Sequence, residues 1–411
     1  MNDYKIWEAQ IGTVGLGHAY SMTGPDVPYP PLYLYLLRLL AFFYAPPLPV
    51  DYTNAFFSVF MKAPIILLDL LIGLVLFVVV KRLQPRVENA CLAAAAYMLN
   101  PGVIFDTGYW GSFNSLLGLF ALGSLAALVL GRGELSTVLL LLAVLVKPQA
   151  MTIVPVVLWL VFTRYGLKTV LRGGLLALCM AVLIGLPFLA AGQLSVALAK
   201  TTGDYVGYFP FVSLNAHNPW WLLSLAFGTA RLPDNEALVF GLTLRHVGLA
   251  LFGLCILAIT ILGARAYRRR LALGSPGTNW LPFEAAALAS IGFFALSTEV
   301  HENHLYLAVP FLAVVAWRST GMWRGYWFLS VVWLLNMVLQ DTAIQNVLVQ
   351  HEASTSGPLL WVLQLISLTR NGMPADNVSL ATAINAVAMV GLLARASWLL
   401  LHMQGGIAPA P

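Results

Sequence analysis

The sequence predicts an all-α membrane protein that crosses the bilayer many times. The chain of 411 residues is 60 % apolar and only 9 % charged, whereas a soluble domain typically carries about 25 % charged residues. Its apolar residues also gather into runs near the length of a membrane span, and the loops between the runs alternate in charge. Embedding in lipid explains all three features, because residues facing hydrocarbon must be apolar and the backbone must satisfy itself as helix. The chain reads as one domain over 1–411, with no internal period and no low-complexity linker.

Residues 1–55 form the first outer loop. Residues 1–28 are mostly polar and lack the apolar core of a cleavable signal peptide. Residues 31–44 are apolar except for Arg38 and run into Ala45-Pro46-Pro47. They are too few to cross, so they suit an interfacial helix on the outer face, with Arg38 turned to headgroups or to a bound phosphate. The bundle occupies 56–402. About eleven crossings are expected, near 56–80, 88–100, 112–131, 135–147, 149–163, 173–191, 239–264, 281–297, 304–317, 324–340 and 378–402. The longest outer loops are 192–238 and 341–377, both rich in aromatics, His and Asn.

The basic residues set the orientation. Alternate loops hold Lys81, Arg82 and Arg86; Arg132; Arg164, Lys168 and Arg172; Arg265, Arg268, Arg269 and Arg270; and Arg318 and Arg324, thirteen of the 22 Lys and Arg. These loops are cytoplasmic, which places the amino terminus outside and the carboxyl terminus in the cytoplasm, as in a bacterial inner membrane. Cys91, Cys179 and Cys255 lie in apolar runs without metal-ligand spacing and read as small core residues. Lys62 and Asp69, two turns apart in the first crossing, are expected to face the bundle as a pair.

The unusual polar residues fall on the outer side. They are Asp3 and Glu8 near Trp7, Tyr29-Pro30-Pro31-Leu32, Asn100-Pro101 followed by Asp106, Trp110, Asn114 and Ser115, Lys147-Pro148-Gln149, His217-Asn218, and Glu299 to His304. Singly each has an ordinary role: Lys147 could snorkel, Trp110 could belong to an aromatic belt, and Asp3 could be a frayed end. Their shared side argues for a site. The sequence has no phosphate-binding Gly loop, no zinc-spaced Cys or His pair and no Gly-x-Ser-x-Gly elbow. It calls for no metal, cofactor or nucleic acid. Carboxylates that can deprotonate a hydroxyl, cations that can stabilise a departing phosphate, and aromatics that suit a sugar ring remain.

The order Asp-Tyr…Trp, Tyr-Pro-Pro-Leu, Asn-Pro…Gly-x-Trp-Gly, Lys-Pro-Gln and Val-His-Glu, over residues 3 to about 310, resembles the C-type superfamily of integral membrane glycosyltransferases. The nearest likeness is to enzymes that use dolichyl- or polyprenyl-phosphate sugars. The resemblance implies an inverting transfer of a hexose from a polyprenyl-phosphate monosaccharide to a lipid-linked glycan, glycolipid or protein acceptor at the outer face. It maps the catalytic base onto Asp3, with Asp106 and Glu8 as alternative carboxylates. It maps the donor-phosphate site onto His301 and Glu302, with Lys147 and Arg38 as further candidates and Asp106, Trp110 and Asn218 lining the substrate site. The chain departs from the family in three ways. A helix usually precedes the catalytic Asp, so one is expected upstream of Met1 or lost from this chain. Ser112 and Asn114 stand where bacterial relatives often carry Gln and Asp, and Asn303 stands where a basic residue often follows His-Glu. The alternatives are a non-catalytic membrane subunit or a lipid-linked sugar carrier with the same fold, and, less consistent with polar residues gathered at one interface, an ion-coupled transporter.

Overall fold

The structure, a computed structural model, describes residues 2–202, 206–229, 231–352, 357, 369–370, 373–374 and 380–402. It is mostly helical. Helix α1 (Asn2–Val14) stops where Gly15 turns to φ 80°. Helix α2 (Pro31–Phe43) begins at Pro31, whose ring fixes the helical φ. The two pack parallel: Tyr4 meets Tyr29 and Tyr33, and Gly12 lies against Ala41 and Ala45. Together with Phe57, Met61, Phe113 and Phe188 they build an amino-terminal apolar cluster of their own.

Helix α3 (Ala55–Leu83) is capped by the Asn54 side chain on Phe57 N. It is followed by α4 (Val87–Met98), a single turn α5 (Pro101–Val103), α6 (Asn114–Val129), α7 (Gly133–Val146), α8 (Val154–Tyr165) and α9 (Leu167–Ala190). Two short helices come next, α10 (Leu194–Thr202) and α11 (Pro219–Ala226), then a small hairpin of β1 (Ala237–Val239) and β2 (Leu242–Thr243). The bundle is completed by α12 (Leu244–Ala272), α13 (Leu281–Leu296), α14 (Ala308–Val315), α15 (Thr320–Gln340), α16 (Thr342–Glu352) and α17 (Leu380–His402), with a second two-residue hairpin before α17. Most of the loop expected at 341–377 beyond α16 lies outside the described residues.

Among the described residues, four segments are long and apolar enough to cross a membrane: Ala55–Leu83, Leu167–Ala190, Leu244–Ala272 and Gly277–Leu296. The last is mostly buried and forms the centre of the main core, whereas the other three expose broad apolar faces, including Leu67, Leu171, Leu175 and Leu254. Surfaces of that kind are unstable against water over such lengths. All eleven expected segments contain a helix, but several are short. The 12 residues of α4 and the 8 of α14 reach only roughly 18 and 12 Å, against about 30 Å of hydrocarbon.

The bundle has two distinct ends. At one, the Arg164 guanidinium donates to Tyr267 Oη and Asn279 Oδ1, each at 3.0 Å, and Glu284 takes Arg318 and faces Arg270. At the other lie Asp106, Lys147 and the 299–304 turn. Two sequence expectations need correction. Cys91 and Cys179 are exposed, not core, because their positions fall on the outward stripes of α4 and α9. Lys62 and Asp69 do not pair: Lys62 donates to Tyr109 O at 2.6 Å, while Asp69 accepts from Tyr97 and Ser115 hydroxyls. Seven residues put their side chains about 20° short of two full turns but some 10 Å apart along the helix.

Candidate functional site

The site is built where three chain segments meet. Asn100 caps α5 by accepting from Gly102 N and Val103 N, and its amide donates to Tyr326 and Ser330 hydroxyls. A widened turn of π type over Ile104–Tyr109 follows, closed by Trp110 N on Phe105 O and Ser112 N on Asp106 O. The wide turn buries Asp106 completely. Asn114, at the start of α6, donates to Asp106 Oδ2 at 2.9 Å. Pro148 ends α7 at Lys147, whose backbone turns extended and whose Nζ donates to Asn114 Oδ1 at 3.2 Å. Asn114 therefore bridges acid and lysine. Asn303, from the turn before α14, donates to the other oxygen, Asp106 Oδ1, at 3.4 Å. Burial pushes the Asp106 carboxyl up to about 7, opposed by the Asn114 amide, Lys147 and the Asn303 amide.

The 299–304 turn is held from behind. Glu299 adopts φ 61° and its carboxylate accepts from Gly207 N and from Arg245 Nε at 2.7 Å. Arg245 also pairs with the buried Asp234 at 2.8 Å. Val300 O takes Leu214 N, and Gln149 of Lys-Pro-Gln donates to His304 O. This leaves His301 half-exposed against Phe209 and His304, with Nδ1 3.8 Å from Glu302 Oε2. Glu302 is close enough to Lys147 for their charges to interact.

A small pocket opens between α1, α2 and this cluster, lined by Tyr4, Tyr29, Tyr33, Ser112, Phe113, Asn114, Val146 and Lys147. Tyr4, Tyr29, Tyr33 and Phe113 stack edge to face or tilted at 4.7–6.1 Å, and the Tyr4 and Tyr29 hydroxyls lie 3.1 Å apart. Lys147 is the single charged residue among the eight. Burial raises the Tyr29 phenol, opposed by its bond to Tyr4, and the charges of Asp106 and then Asp3 add to the rise. Tyr29 thus lies within charge range of both aspartates.

The structure brings Asp106, Lys147, His301 and Glu302 to one end of the bundle. Asp3 is exposed on the first turn of α1, within charge range of Tyr29. Glu8 is fully buried, neither oxygen has a hydrogen-bond partner among the described residues, and burial lifts it to about 8. Such a group is poorly placed to meet an incoming acceptor. Arg38 does not reach the cluster; its Nη1 donates to Ile11 O and Gly12 O at 3.4 and 3.2 Å, bonding carbonyls of the last turn of α1. Asn218 caps α11 on Trp221 N and donates to Phe294 O, a buried packing role. Trp110 donates to Asp341 Oδ2 at 2.6 Å, tying the Asp106 turn to the end of α15. Asn114 and Asn303, the two amides that engage Asp106, appear in the sequence among the outer polar residues and as departures from the family pattern, but nothing there pairs them with Asp106. Among the described residues no cluster of three His, Cys, Asp or Glu could hold a metal ion.

No protein-family model matches the chain, and no curated protein matches it either.

Proposed function

We propose that the protein is a polytopic enzyme of about eleven crossings that moves a hexose, with inversion, from a polyprenyl-phosphate monosaccharide to an acceptor at the non-cytoplasmic face. In this reading α2 lies at the outer interface, and the end bearing Asp106 faces outward. One observation carries the proposal: a lysine on an aromatic-walled pocket beside a buried carboxylate, at the end of a strongly apolar bundle. That combination suits an anionic lipid whose phosphate bears a sugar.

The placement of these side chains supports their roles. Lys147 meets the phosphate, with His301 and Glu302 beside it, and the half-buried Tyr29 offers its ring to the sugar over the buried rings of Tyr33 and Phe113. The acceptor hydroxyl oxygen attacks the anomeric carbon from the side opposite the phosphate. The carbon–oxygen bond to phosphate breaks, and its electron pair leaves with the phosphate. Asp3, exposed on the first turn of α1, takes the hydroxyl proton as attack develops.

The test uses the purified chain in lipid vesicles with polyprenyl-phosphate hexoses and an alcohol acceptor. Wild type should release polyprenyl phosphate and form an inverted glycoside, and Asp3→Asn should bind donor without transferring it. Binding without turnover in wild type would favour the sugar-carrier alternative. Full turnover in Asp3→Asn would remove Asp3 from the mechanism.

A further inference from the structure

We infer that Asp69, halfway along α3, is a positioning residue that fixes the Asp106 cluster through a second layer of hydroxyl groups. Asp69 is buried, and its Oδ1 accepts from Tyr97 Oη at 2.6 Å and Ser115 Oγ at 2.7 Å, beside the Thr107 hydroxyl, whose own proton goes to Val103 O at 2.8 Å. The identity of these groups is informative. Ser115 adjoins Asn114, and Thr107 adjoins Asp106. Tyr97 continues the network to Tyr306, with the two phenolic oxygens 2.5 Å apart. Tyr306 N is bonded to Asn303 O at 3.1 Å.

Asp106 and Asn114 therefore each adjoin a residue at Asp69, and Asn303 is linked to it through Tyr306 and Tyr97. The two carboxylates gather the same segments at two depths. Tyr306 is held tightly from its other side, since a methyl group at Gly118 would lie 2.8 Å from its ring. A buried Asp needing only satisfaction could take any local hydroxyls; the donors here come from α4 and α6, one adjoining Asn114 and the other bonded to Tyr306 beside the 299–304 turn. Asn114 must bond Asp106 through Nδ2 and Lys147 through Oδ1 at once, so a small displacement of the 106–115 segment breaks one of the two contacts.

The test compares Asp69→Asn, which keeps an acceptor oxygen and can donate to Thr107, with Asp69→Leu, which removes every bond. Amide hydrogen exchange is measured in detergent on monodisperse protein. Asp69→Leu should speed exchange in 106–115 and 301–306, and Asp69→Asn should not. Two single deletions guard against a Leu variant that does not fold. Ser115→Ala should loosen only 106–115, and Tyr97→Phe only 301–306. Turnover per folded molecule supplies a second readout, which rests on the glycosyl-transfer reading. Asp69→Leu should lower kcat roughly 100-fold, the scale of an ångström misplacement, with KM for a polyprenyl-phosphate hexose little changed. Unaltered exchange in Asp69→Leu, or equal loosening of both segments by each single deletion, would overturn the inference. So would an Asp69→Asn variant as impaired as Asp69→Leu, since charge and not position would then be required. A wild type that transfers no sugar would refute the enzymatic reading alone, because the exchange pattern still decides this one.

Discussion

Replacing Lys147 by Met removes the only charge among the residues lining the pocket while keeping much of the side-chain volume. Lys147 Nζ donates to Asn114 Oδ1 and stands near Asp106 and Glu302. A hydrogen bond from a cation contributes about 1.5–3 kcal/mol, and about 1.4 kcal/mol is tenfold in affinity, so a bound phosphate should weaken roughly 10- to 100-fold. The upper part of the range is favoured, because Asp106 and Glu302 then face the phosphate without the lysine between them. Lys147→Arg keeps the charge and should retain most of the affinity. The assay is a titration of polyprenyl phosphate into protein in nanodiscs, followed by native mass spectrometry. Equal affinity in wild type and Lys147→Met would refute the placement of the phosphate in this pocket.

Asp106 should make donor binding pH-dependent. Its carboxyl, raised to about 7, is neutral below that pH and leaves the positive charge of Lys147 uncompensated; above it the carboxylate opposes an incoming anion. Affinity for a polyprenyl phosphodiester should therefore fall as pH rises through about 7, and Asp106→Asn should hold the low-pH value; a flat wild-type profile would contradict this. Asn218→Ala removes a helix cap and leaves the buried Phe294 carbonyl without that donor, so thermal unfolding in detergent should show a loss of roughly 2–4 kcal/mol with phosphate affinity intact. An unchanged melting temperature would deny Asn218 its structural role. A reporter after Arg268 should read cytoplasmic and one in 341–377 external; the reverse at both sites would turn the site to the cytoplasm.

The helices of the expected crossings were legible because each comes from a run of apolar residues, a signal that needs no knowledge of neighbours, whereas α10, α11 and α16 fall in the expected loops 192–238 and 341–377. Helix α1 was not legible, since Lys5 and Glu8 make its sequence look solvated. Both are buried: Lys5 donates to Tyr52 O and Ser58 Oγ across to the start of α3. The polar clustering near Asp106 and Lys147 could be read from the sequence, but its wiring could not. Asn303 lies 197 positions from Asp106 and Tyr306 lies 209 from Tyr97; no local pattern encodes such pairs. Arg38 and Asn218 drew attention for their residue type, and their partners turned out to be backbone carbonyls and amides, which sequence composition never distinguishes from ligands.

The order in which these bonds become possible has a bearing on biogenesis. Asp69 finds Tyr97 and Ser115 within 46 residues, and Asp106 finds Asn114 eight residues on, with Lys147 reaching Asn114 33 residues later. A chain that folds from its amino terminus as it is synthesised can thus shelter both acids before half of it has left the ribosome. The late segment then adds Asn303, Tyr306 and the His304 carbonyl to a layer already closed. A nascent chain arrested after α8 would already carry its acids in a hydrogen-bonded state compatible with release from the insertion machinery into lipid.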